Sequence, residues 1–122
     1  MKKLSILLVV TAAIMAFAVD ENVEIHNGFG TGQAYIKMDE SEKRTYAMGA
    51  INGMLLAPLF GAPKDRTKWF ESYIENMTDE QVAAILTKFL RDNPGRWHEG
   101  LHALMYSAIR DAYRKSRTPS EK

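Results

Sequence analysis

The 122-residue sequence contains no cysteine. That excludes a disulfide framework, a lipid-modified cysteine anchor, a thiol nucleophile and cysteine-ligated zinc. It also has no apolar run long enough to cross a bilayer. The longest, Leu4 to Phe17, covers 14 residues and includes Ser5 and Thr11, whereas a spanning helix needs about 20. There is little net charge, +1 over the whole chain, so no basic field marks nucleic acid as a partner. The glycines Gly28, Gly30 and Gly32 are followed by Gln33 and by no Gly-Lys-Ser/Thr, so the nucleotide-loop patterns fail. Serines lack a nucleophile-elbow context, and no alternating run long enough for a β-sheet is present.

What is there begins with a targeting pattern. Lys2 and Lys3 precede the apolar run, and Ala16-Phe17-Ala18 supplies small residues around a cleavage site. This predicts a secretory signal peptide over residues 1–18, a periplasmic location and no membrane span in the mature form. Cleavage there removes two lysines and no acid, leaving 14 basic and 15 acidic side chains. A mature chain of this size buries enough apolar surface to fold without disulfides.

The remainder reads as an all-α single small domain of four to five helices. An extended arm is expected over 19–30, a helical domain over 31–116 and a polar tail over 117–122. Thr31 is a candidate N-cap for a short helix to Met38, reached through a flexible glycine lead. Asp39 and Glu42 have capping-box spacing at the start of a helix running to about Leu56. Its apolar stripe is Ala47, Ile51, Met54 and Leu55, and Gly49 and Gly53 offer a side for close backbone approach. Pro58 to Pro63 then forms an apolar loop.

A third helix is predicted from Asp65 to Met77, with Phe70, Tyr73, Ile74 and Met77 at helical spacing. Asn76-Met77-Thr78 matches a glycosylation sequon, but it reads more simply as a helix end and an N-cap. The fourth helix opens with the capping box Thr78/Gln81, continues through Val82, Ile85, Leu86, Phe89 and Leu90, and stops at Asn93-Pro94-Gly95. The last is predicted from Trp97 to Arg114, with Leu101, Leu104, Met105, Ala108 and Ala112 inward. The cations Arg114, Lys115 and Arg117 suit a helix C-terminus.

One motif carries enzyme chemistry. His98-Glu99-Gly100-Leu101-His102 matches H-E-x-x-H, in which two histidines one helical turn apart bind zinc and the glutamate is the general base. A small zinc hydrolase is therefore one alternative. It lacks an obvious third ligand, since the downstream acids are Asp111 and Glu121 and the other histidine is His26. The plainer reading has His98 helping to cap the last helix and His102 at the border of its apolar face, with no catalytic, cofactor-binding or metal residue assigned.

Several fragments occur in order: Thr31-Gly32 with Tyr35; Arg44 and Tyr46 with Gly49 and Asn52-Gly53; Trp69; Met77-Thr78 with Gln81; Lys88-Phe89-Leu90 with Asn93-Pro94; and Trp97-His98. From Thr31 to Ala112 this pattern resembles the Rap/Tai family of periplasmic immunity proteins. The resemblance implies an exported helical protein, often a homodimer, that is not an enzyme. It also implies a protein partner, a cell-wall amidase toxin delivered by type VI secretion, which it binds and inhibits. Family members usually carry disulfide cysteines, one of them shortly after the Trp69 position, where this chain has Ser72. His98 fits the family pattern, while Glu99 and His102 lie outside it. The other alternative is a periplasmic helical binding protein of the same fold with a different partner.

A binding surface is expected at Leu59 and Phe60, held between Pro58 and Pro63, with Lys64, Asp65, Arg66 and Lys68 as a charged rim. These two apolar side chains could equally fold inward and plug the end of the helical bundle.

Overall fold

The computed structural model describes residues 30–119. The expected signal peptide, all but the last residue of the expected arm, and residues 120–122 of the tail lie outside the described residues. Within them the chain is all-helical. Helix α1 is Gly32–Ile36, α2 Glu40–Leu55, α3 Lys64–Ile74, α4 Asp79–Asp92 and α5 Leu101–Arg117, with short 3₁₀ turns at Ala57–Phe60 and Pro94–Arg96.

Local chemistry sets the starts of two long helices. The Asp39 carboxylate accepts from the Glu42 amide at 2.8 Å, and Glu42 accepts from the Asp39 amide at 2.9 Å. Thr78 and Gln81 form the same reciprocal pair at the head of α4. Each box satisfies two amides that the first helical turn leaves without partners, and such a cap contributes about 1 kcal/mol. Helix α3 stops at Ile74, three residues short of the expected Met77. The backbone leaves the helix at Glu75, ψ 130°, and Asn76 follows in a left-handed conformation, φ 66°, which asparagine tolerates better than most residues.

Helix α4 is the centre of the fold and packs against α2 on one side and α5 on the other. Its Leu86 and Leu90 join Leu101, Leu104, Met105 and Ile109 of α5 and Tyr35 of α1 as the largest fully buried side chains. Burying an aliphatic side chain of this size contributes about 1.5–3 kcal/mol. The Tyr35 hydroxyl donates to the Ala83 carbonyl of α4 at 3.0 Å and lies 3.3 Å from the Thr87 hydroxyl, so its one polar atom is satisfied.

Four expectations need correction. First, the last helix begins at Leu101, because residues 97–101 are taken up by pairing with the start of the domain. Leu101 donates to the Gly30 carbonyl at 2.8 Å, Gly32 to Glu99 at 3.3 Å and Gln33 to Trp97 at 2.9 Å. A single antiparallel bridge joins Thr31 and Gly100, so this lead is pinned at residues 30–33. At its far end α5 runs three residues past the expected Arg114, to Arg117, and so crosses the expected domain end at 116.

Second, Gly32 is a close-packing position. A Cβ there would lie 2.8 Å from a Leu90 methyl, 2.9 Å from a Leu104 methyl and 3.1 Å from the Trp97 Cα. Third, Gly49 and Gly53 face open space, with nothing within 4 Å of where a Cβ would stand. No backbone approaches them among the described residues. Fourth, of the expected α2 stripe only Ala47 is buried. Ile51 and Met54 are half-buried and Leu55 is exposed.

Candidate functional site

The loop between α2 and α3 projects its two large apolar residues outward. Leu59 is 80% exposed and Phe60 85%, which decides against their plugging the bundle. The loop is built to hold them there. Leu59 donates its amide to the Leu56 carbonyl at 2.9 Å, and Gly61 to Pro58 at 3.2 Å. Ala62 closes the loop by donating to Ala57 at 3.1 Å. Gly61 turns the chain at φ 95°, a conformation that costs a residue with a Cβ about 1–2 kcal/mol. Pro58 and Pro63 restrict the two ends. The result is a hydrogen-bonded apolar tip with little freedom left to lose on docking.

The tip is not isolated. Leu55 and Leu56, at the end of α2, are 40% and 47% exposed and lead directly into it, and Met48 is exposed further back on the same helix. Leu55, expected on the apolar stripe of the helix, belongs to this exposed extension instead. An apolar period on a helix does not say which of two apolar faces meets the bundle. On the other side Lys64, Asp65, Arg66 and Lys68 are all exposed along the first turns of α3. None of them makes an ion pair among the described residues, so three cations and one anion are left to form a polar rim.

The H-E-x-x-H segment has a different geometry from the one its spacing suggests. His98 and Glu99 precede α5, and only His102 lies on it, so no helical turn sets the two histidines on one face. The N-cap of α5 is Gly100, with no side-chain cap hydrogen bond, so His98 does not cap it. His98 and His102 are both exposed, the latter off the apolar border. Glu99 is engaged by Arg96, which donates from Nε and Nη2 at 2.7 Å each. That paired contact holds the Glu99 carboxyl below the usual carboxylate range. Arg96 also lies 5.2 Å over the Phe89 ring, so Glu99 serves to orient a residue that covers the end of α4. No group of three or more His, Asp or Glu side chains stands close enough to hold a metal among the described residues. His26 lies outside them.

The arrangement as a whole offers contact surface: a rigid apolar tip, an apolar flank on α2 and a charged shoulder on α3. Comparison with protein-family profiles, with curated proteins and with solved structures returned no match.

Proposed function

We propose that this chain is an exported immunity-type protein that binds a secreted cell-wall amidase and blocks its active-site cleft with the Leu59–Phe60 tip. The observation that carries the reading is the tip itself. Two large apolar side chains, 80% and 85% exposed, stand on a turn closed by its own backbone hydrogen bonds. Contiguous exposed apolar surface marks an interaction site, and large side chains held on a preorganised turn suit the role of interface anchors. The likeness of Arg44, Tyr46, Trp69, Asn93-Pro94 and Trp97-His98 to the Rap/Tai pattern supplies the partner class, since a fold alone does not choose one.

The test has two stages. The purified protein is used to capture partners from a periplasmic extract, and the captured protein is assayed for peptide release from peptidoglycan with and without stoichiometric addition of this chain. Inhibition that saturates at equal amounts is the expected result. A captured partner without amidase activity, or an amidase that works unimpeded in the complex, would reject the assignment.

A further inference from the structure

A second surface, separate from the apolar tip, is built by α3 and α5. Trp69 of α3 packs against two tyrosines of α5, with ring centroids 5.0 Å from Tyr113 and 6.2 Å from Tyr106. These rings line an open groove of about 440 Å³ whose remaining walls are Arg66, Arg110 and Arg114. All three arginines are exposed, and none pairs with a carboxylate among the described residues. In contrast, Lys88 and Lys115 each hold an aspartate one turn away, at 2.6 and 2.8 Å. Arg117 donates to the Tyr113 hydroxyl at 2.6 Å and lies 5.5 Å over its ring, so the Tyr113 ring is held in place.

The helix dipole accounts for cations in the last turn of α5. It does not account for Arg110, nor for Arg66, which comes from the first turns of another helix. Three unpaired guanidinium groups around an aromatic floor form a site for carboxylates, because each planar fork can take a carboxylate in paired hydrogen bonds. The groove is too open to enclose a small ligand as ordinary ligand pockets do. Spacing indicates the form of the occupant. Arg110 and Arg114 are four residues apart on a helix, about 6 Å along its axis. Alternate side chains of an extended strand repeat at about 6.6 Å on one side.

We infer that the α3–α5 groove binds an acidic, extended segment of a protein partner, with alternate carboxylates on Arg110 and Arg114 and the intervening chain over Trp69 and Tyr113. This does not rest on the tip's docking into an amidase. Arg66 adjoins both surfaces, so the test uses the two arginines that belong to the groove alone.

The experiment measures fluorescence anisotropy of a short, capped, dye-labelled peptide of alternating glutamate and alanine as the full chain is added. Binding that weakens with added salt is expected. It should be about ten-fold or more weaker in the Arg110→Gln/Arg114→Gln variant, as loss of two charge-assisted contacts implies. Arg91→Gln, an exposed arginine on α4 away from the groove, should leave it unchanged, and circular dichroism should show both variants folded. The proposal is overturned by absent binding, by equal binding to the double variant, by displacement with inorganic phosphate at the peptide's own concentration, or by preferential binding of a single-stranded oligonucleotide. Failure here with successful amidase inhibition would leave the tip's role standing, and the reverse outcome would separate them equally well.

Discussion

The Trp97 indole donates its N–H to the Leu90 carbonyl at 2.7 Å. Leu90 lies in the last turn of α4, where carbonyls run out of helical partners. The Asn93 amide reaches the same oxygen at 3.2 Å, while the Asn93 side chain donates to Phe89 at 2.8 Å. One tryptophan and one asparagine therefore finish α4 before Pro94 turns the chain. Trp97 also accepts, through its own carbonyl, the Gln33 amide, so it couples the end of α4 to the start of the domain.

Trp97→Phe keeps most of the ring and removes the donor. Because Leu90 retains the Asn93 contact, the loss should be about 1 kcal/mol, read as a fall of about 4–8 °C in thermal midpoint for a domain of this size. An unchanged midpoint would mean that water replaces the indole at no cost.

Gly32→Ala should be destabilising by about 1–3 kcal/mol, as overpacking usually is. Two of the three close neighbours are methyls of the buried Leu90 and Leu104, which could shift only by repacking the core, and the third, at 3.1 Å, is the Trp97 backbone. Chemical denaturation measures the change. Gly30→Ala is the control, since its nearest neighbour would be a Leu101 methyl at 3.6 Å, an ordinary contact.

Gly49→Ala and Gly53→Ala should act in the opposite direction. Both positions lie inside α2 and meet nothing, so alanine contributes only its better helix propensity, about 0.5–1 kcal/mol each. The two sites are one turn apart without shared partners, and the double variant should show close to the sum. A stability loss in either variant would reveal a contact on this face that the monomer does not account for.

The helical class, the two capping boxes and most of the buried faces of α4 and α5 were legible in the sequence because each is set within four residues along the chain. Ala83 and Ile109, both buried, were not singled out, and Ile85 and Ala112 are only half-buried. The start of α5 was not legible. Trp97 to Gly100 have helical neighbours in sequence, yet they are drawn out of the helix by hydrogen bonds to Gly30, Gly32 and Gln33, which no local pattern encodes. The same limit applies to the sites. Leu59 and Phe60 stood out by type and by the prolines around them, but only the fold shows which way they point. The groove was invisible, since Arg66 and Trp69 are far in sequence from Arg110 and Tyr113, and Arg114 alone reads as a helix-end cation.

Stability should fall at high pH through Tyr35 and Tyr46. Burial raises both phenols above the ordinary value of 10.0, Tyr46 to about 12, with each ring also facing a neighbour that opposes a negative charge. Their centroids are 6.0 Å apart. The unfolded chain releases these protons first, so the stabilisation is complete below pH 10 and is lost as pH rises toward 12. Denaturation midpoints across that range should decline, and Tyr46→Phe should flatten the decline. A midpoint independent of pH there would show that both tyrosines titrate normally.

Phe60→Ala separates surface from core at the tip. With Phe60 85% exposed and the turn closed by backbone bonds from Leu59, Gly61 and Ala62, truncation removes few contacts within the chain. Stability should change by no more than about 0.5 kcal/mol. A central anchor in an interface behaves differently, and the captured partner should bind about 2 kcal/mol or more weakly, close to 30-fold in Kd. The effect should appear mainly as faster dissociation, because the side chain acts after encounter. Gly61→Ala tests the role of rigidity without touching an apolar group. It strains the turn that aims Phe60, and it should weaken binding while leaving the charged shoulder at Lys64, Arg66 and Lys68 in place. Isothermal titration with each variant, alongside thermal melting, gives both quantities. A melting temperature that drops sharply for Phe60→Ala would return the residue to the core. Unchanged stability together with unchanged affinity would remove the tip from the binding surface.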